Sequence, residues 1–200
     1  HTSSKQCVPE QMTSCLGPFR RITLKPRCGE LFRFLNCGSE LPKIDEMPLD
    51  LFCGDAVCID VREYPARHEV TVAEMEAAIA ASGQEIREGD ILLFCTDHWN
   101  RTQGTPAFLN GFSGVAAECV YWMKDKGVKI FGVETISPDL VYQTGAYTNH
   151  RACAERGLTH FENLNNLKDV VNKRFDFYGF PLRLEPAAGS PIRAVGIVEE

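Results

Sequence analysis

The chain has 200 residues, 24% of them charged and 44% hydrophobic, and a formal net charge of −6 at pH 7. That length suits one domain, which can bury about 70% of the surface its unfolded chain exposes. The acidic balance and the scattered basic residues exclude a nucleic-acid backbone binder, and no run approaches the roughly 18 apolar residues of a membrane span.

The nine cysteines (Cys7, Cys15, Cys28, Cys37, Cys53, Cys58, Cys95, Cys119, Cys153) form no CxxC pair, and their number is odd. Cys58 in AVCID and Cys95 in ILLFC sit in apolar runs, where a thiol packs as a small hydrophobe. They are expected to be mostly reduced, in a cytoplasmic protein, rather than to form a disulfide framework.

In chain order, residues 1–19 are polar and broken by Pro9, Gly17 and Pro18, which predicts an extended arm. Phe19 to Leu24 reads as a strand that Pro26 cannot continue, because proline fixes φ and lacks an N–H. Ala56 to Val61 reads as a buried strand. Thr71 with Glu74 forms a capping box before an apolar stripe of Val72, Met75, Ala78 and Ile79, and Gly83 ends that helix. Asp90 to Thr96 is a second buried strand, and its exit carries the polar and aromatic cluster Asp97-His98-Trp99-Asn100-Arg101. Ser113 to Lys126 reads as a helix with Val115, Cys119, Trp122 and Met123 on one face and Gly127 as its stop. Val128 to Val133 is a third buried strand leading to GVETISPD, while Arg174 to Leu184 and Ile192 to Val198 are strands joined through Gly189-Ser190-Pro191. Strands separated by helices, followed by strands without them, predict one α/β domain over residues 1–200: a mixed sheet with helices on its outer face.

The stretch Asn149 to Leu167 concentrates the chemistry. His150 opens a helical run that Gly157 ends, since glycine takes positive φ at a helix C-terminus without strain. Leu158 to Glu162 then alternates like a strand and passes into the loop Asn163-Leu164-Asn165-Asn166-Leu167. If helix and strand pack side by side, His150 and Glu162 face one pocket.

His150, Glu162-Asn163-Leu164 twelve residues later, and the ordered set IDEMPLDLF, GDILLF followed by Trp99, GVETISPD, GLTHFENLNNL, and FPLRL before GSPIRAV resemble the cyclase family that includes bacterial kynurenine formamidase and isatin hydrolase. The resemblance implies a swivelling β/β/α domain, a homodimer or homotetramer, and a small-molecule carbonyl substrate. It also implies a divalent metal, zinc or manganese, held in part by the residues that match His150 and Glu162. The family's HxGTHxDxPxH motif is degenerate here. Counting back from Ile44 places its ligands on Thr23, Arg27 and Gly29, its proline on Leu31 and its last histidine on Arg33; a rival alignment from His1 keeps Pro9 but places Lys5, Cys7 and Gln11 at the other key positions.

Arginine stays protonated and cannot ligate a metal. The resulting expectation is an enzyme that uses no cofactor and no metal at the inherited site. Arg27, with Arg33 and Lys25, supplies positive charge there, and Arg27 pairs with Glu162. In this reading His150 does acid–base work, Glu162 orients it, and Arg27 or Arg33 stabilises an oxyanion or enolate. His98 and Trp99, with Asp97 and Lys25, hold the substrate. The alternatives are a metal-dependent, formamidase-type amidohydrolase with zinc or manganese ligands drawn from His150, Glu162, His160 and His98, and a binding subunit without chemistry. Cys28 as a thiolate nucleophile with His150 as its base is a further local option.

Overall fold

A computed structural model describes residues 19–24, 42–185 and 187–199. Lys25, Arg27, Cys28, Arg33 and the arm before Phe19 lie outside the described residues, so of the degenerate motif only Thr23 is placed, opposite Val195 in the sheet.

The strands are β1 (Phe19–Leu24), β2 (Cys53–Asp60), β3 (Glu69–Val70), β4 (Ile91–Cys95), β5 (Gly114–Val115), β6 (Ile130–Val133), β7 (Thr159–Phe161), β8 (Arg174–Tyr178) and β9 (Ala194–Glu199). The principal helices are α1 (Val72–Ser82), α4 (Ala117–Asp125) and α6 (Thr148–Arg156); the shorter α2 (His98–Thr102), α3 (Ala107–Asn110) and α5 (Val141–Thr144) turn corners. Seven strands form one sheet in the order β1-β9-β8-β2-β4-β6-β7. β2, β4, β6 and β7 run parallel, whereas β8, β9 and β1 join antiparallel, so the sheet is mixed as expected.

Alternation along each central strand divides the core. Val57, Ile59, Leu92, Phe94, Phe131 and Val133 point to the face covered by Met75 of α1, Cys119, Val120 and Met123 of α4, and Ala152 and Cys153 of α6. Ala56, Cys58, Ile91, Leu93 and Ile130 point the other way, onto Ile44, Phe52, Leu164, Leu167 and Val170. Ile91, Leu92, Leu93 and Phe94 are all fully buried, at about 1.5–3 kcal/mol per large side chain. This makes β4 the strand on which both layers are anchored. The five described thiols, Cys53, Cys58, Cys95, Cys119 and Cys153, are unpaired, and all but Cys53 are buried.

The capping box is present: the Thr71 hydroxyl accepts from the Glu74 N–H and the Glu74 carboxylate from the Thr71 N–H, while Gly83 closes α1 at φ 69°. Two predicted boundaries move. The helix expected from Ser113 begins at Ala117, because Gly114 and Val115 pair with β3 instead. The Val115 N–H donates to Pro138 O at 2.8 Å, and a Cβ on Gly114 would lie 2.7 Å from the same oxygen. The strand expected to reach Leu184 ends at Tyr178; beyond Gly179, Pro181 offers no N–H and an isolated bridge to Ile192 is what remains.

Candidate active site

Three parallel strands end side by side, and the residues just past them are polar: Thr96 and Asp97 after β4, Glu134 after β6, Glu162 after β7. Carboxyl ends of parallel strands are where open α/β sheets place ligands.

His150 is the third residue of α6 and is 4% exposed. The first turn of that helix has no cap from Tyr147. Asp139, 1% exposed and brought back by the loop after β6, takes the role instead. It accepts from the Asn149 N–H at 2.6 Å, the His150 N–H at 3.0 Å and the Thr148 hydroxyl at 3.1 Å. The same carboxylate accepts from His150 Nδ1 at 2.5 Å. Burial, the largest single influence, raises the Asp139 pKa, but the His150 side chain and the two amides outweigh it and hold the group below its ordinary 3.8.

With Nδ1–H committed to Asp139, the other ring nitrogen faces Glu162, Nε2 to Oε1 3.6 Å. Glu162 is 7% exposed. A bare lone pair aimed at a buried carboxylate is repulsive, so the gap between this nitrogen and Glu162 favours a positively charged occupant.

His160 joins the pair. Two residues before Glu162 on β7, it points to the same face, its Nε2 3.2 Å from Glu162 Oε1 and its ring perpendicular to that of His150 at 4.8 Å between centroids. It stacks on Phe131, and its Nδ1 lies 3.9 Å from the Cys153 sulfur. Burial drives its pKa down to about 4, so near neutral pH the ring is uncharged. The nearby Cys153 thiol is pushed well up by burial and by the Asp139 and Glu162 charges, which makes it a packing group and not a nucleophile.

The Glu162 backbone is fixed from β6. Asn163 takes the left-handed conformation at φ 55°, its N–H donating to Thr135 O, and the Leu164 N–H donates to Val133 O. Leu164 and Leu167, polar-loop residues by their sequence context, are buried anchors. Glu134 accepts from the Thr96, Asp97 and Leu167 N–H groups, tying the β4 exit to the loop after Glu162.

The structure therefore brings His150 and Glu162 together as the sequence predicts. It places Asp97, His98 and Trp99 in the α2 and α3 corner. His98 Nε2 lies 2.9 Å from Phe108 O, and the ring stacks on Phe108 and meets Phe112 edge-on. Trp99 packs edge-on against Phe108, and Asp97 accepts from Asn100. The group sequence reasoning missed is Asp139. A carboxylate in the loop between a buried strand and a helix that lacks its own cap was the available signal.

Among the described residues, His150, His160 and Glu162 are the one set of three or more such side chains whose donor atoms converge, all within 4.8 Å of one another. Two imidazoles and a carboxylate are the ligand chemistry of a catalytic zinc. Donors each about 2.0–2.1 Å from a tetrahedral ion stand roughly 3.3 Å apart; the two separations to Glu162, 3.2 and 3.6 Å, are close to that, and all three donors lie within 4.8 Å of one another. The residues present fit a divalent metal.

This fold and site define a mixed-sheet α/β domain with a buried histidine–carboxylate centre at the strand ends. The chain belongs to the putative cyclase family, whose model matches residues 31–140. The kynurenine formamidase of Bordetella pertussis is 31% identical over 88 residues, 44% of this chain and 41% of that protein. The kynurenine formamidase of Erythrobacter litoralis is 27% identical over 149 residues, 74% of this chain and 62% of the relative, so the chain matches less than two thirds of either. Isatin hydrolase A from Labrenzia aggregata, solved with benzyl benzoate bound, superposes with a TM-score of 0.78 at 20% identity, over 96% of this chain and 99% of its own.

Proposed function

We propose that this chain is a hydrolase or cyclase acting on the carbonyl carbon of a small amide, ester or ring compound, with His150, Glu162 and His160 at its centre. The observation that carries this reading is a buried imidazole held between two carboxylates, Asp139 at Nδ1 and Glu162 before Nε2. Such a ring presents one nitrogen, in one tautomer, to whatever reacts at the strand ends. The names of its relatives, a formamidase and an isatin hydrolase, support an aryl formamide or a strained cyclic amide as first substrates.

Asp139 keeps the proton on Nδ1 and the ring upright. His160 stays uncharged and stacks on Phe131 beside Glu162. His150 and Glu162 would help hold a divalent metal, which when bound polarises a carbonyl oxygen and makes water a usable nucleophile at neutral pH. In the metal-free version, supported by the loss of the HxGTHxDxPxH ligands, His150 does the acid–base work through Nε2, with the positive charge drawn, as the sequence reading expects, from Arg27 or Arg33. Assay of the purified chain against aryl formamides and cyclic amides, with and without a chelator, tests both. Turnover abolished in His150→Ala supports the centre, and its loss on chelation selects the metal-bound version. A His150→Ala protein as active as the parent would refute the assignment.

A further inference from the structure

We infer that His160 is a metal ligand in this chain, completing with His150 and Glu162 a three-donor site that does not depend on the altered motif between Thr23 and Arg33. This rests on the reading of the cluster as the functional centre, and it concerns a residue to which neither the fold nor the family match gives a task.

Three observations converge. His160 and Glu162 stand two apart across the end of β7, so strand alternation alone points both side chains toward α6. His150 arrives from α6 with its Nδ1–H already donated to Asp139, the outer-shell arrangement that orients a metal-ligating histidine and frees Nε2 as the donor. His160 has a similar outer partner, the Cys153 sulfur 3.9 Å from Nδ1. Without an ion, the His160 proton sits on Nε2 and bonds Glu162. On binding, that proton moves to Nδ1 opposite Cys153, the ring remains neutral, and Nε2 turns its lone pair to the ion. Glu162 Oε1, now shared by two imidazoles, becomes the third donor. The two separations to Glu162, 3.2 and 3.6 Å, already approximate those around a tetrahedral ion, and side-chain rotation of the two imidazoles would close the remaining distance within the 4.8 Å that spans the three donors.

The ordinary alternative is that His160 only hydrogen-bonds Glu162. His160→Gln separates the two, since a glutamine amide can still donate to the carboxylate but is a poor zinc donor. Chelator-stripped parent and variant are titrated with Zn²⁺ against a chromogenic competitor. The parent is expected to bind one equivalent, and the variant at least about 100-fold more weakly, beyond the 10–100-fold typical of outer-shell losses. Equal affinities, or a parent that binds no zinc, would overturn the inference. Should the variant not fold, X-ray absorption of the zinc-loaded parent decides: two imidazole nitrogens in the first shell sustain the assignment and fewer refute it. Affinity and ligand count are read without turnover. A zinc-binding chain inactive on every carbonyl substrate thus leaves this site standing while the proposed reaction falls, and an active chain in which His160→Gln binds zinc normally does the reverse.

Discussion

Asp139 shows how one side chain does two tasks at residue scale. It satisfies amides at the start of α6 and fixes the tautomer of His150. Asp139→Asn preserves the shape but offers one oxygen and an NH₂ to a set of donors, so turnover is expected to fall by about 10–100-fold or more, measured as kcat/KM. Its folded pKa lies below the 3.8 of the unfolded chain, so the stability it contributes is complete above that value and is lost only as pH falls below it. Melting curves at pH 7 should therefore separate parent from Asp139→Asn, and the separation should shrink as pH falls below 3.8. Glu134 is a second such residue: Glu134→Gln puts an NH₂ among the Thr96, Asp97 and Leu167 amide donors and should cost about 1–3 kcal/mol by denaturant titration. His150 and Glu162 were legible in the sequence because helix stop, strand alternation and twelve-residue spacing agree. Asp139 was not, since its partners lie ten and eleven residues on, across a loop with no period to read.

Elements were legible where local signals and tertiary needs coincide. Helix α1 has both caps in its sequence, and Thr71→Ala should destabilise the protein by about 1 kcal/mol, read as a lower denaturation midpoint. The start of α4 was misplaced because apolar spacing cannot reveal that Gly114 must lie against Pro138 O. Strand β6 is constrained in the same way: a Cβ on Gly132 would come within 2.7 Å of both Leu164 and Leu93. Gly132→Ala is thus expected to cost about 1–3 kcal/mol and to disturb the loop that holds Glu162, so stability and zinc affinity should fall together.

For the whole molecule, the mixed sheet and helical layer followed from the order of strands and helices, while the covering of the second face by Ile44, Phe52, Leu164 and Leu167 did not, because loop residues carry no period. Acid should weaken the fold. Burial, only partly offset by the Phe108 carbonyl, holds the pKa of His98 below its ordinary 6.5, and His160 is held lower still, near 4. The unfolded chain takes up these protons near pH 6.5 and the folded chain resists, so stability present above 6.5 drains away as pH falls below it. Chelator-treated protein should melt lower at pH 5 than at pH 7.5, and His98→Gln, which keeps a donor for Phe108 O, should show a smaller difference; equal differences would assign the acid sensitivity elsewhere.

Because the carboxylate that opens α6 is also the one that holds the imidazole, helix nucleation and ring alignment are a single event. Protection of the Asn149 and His150 amides against deuterium should therefore rise and fall with the integrity of the reacting centre, giving a backbone signal for a side-chain property.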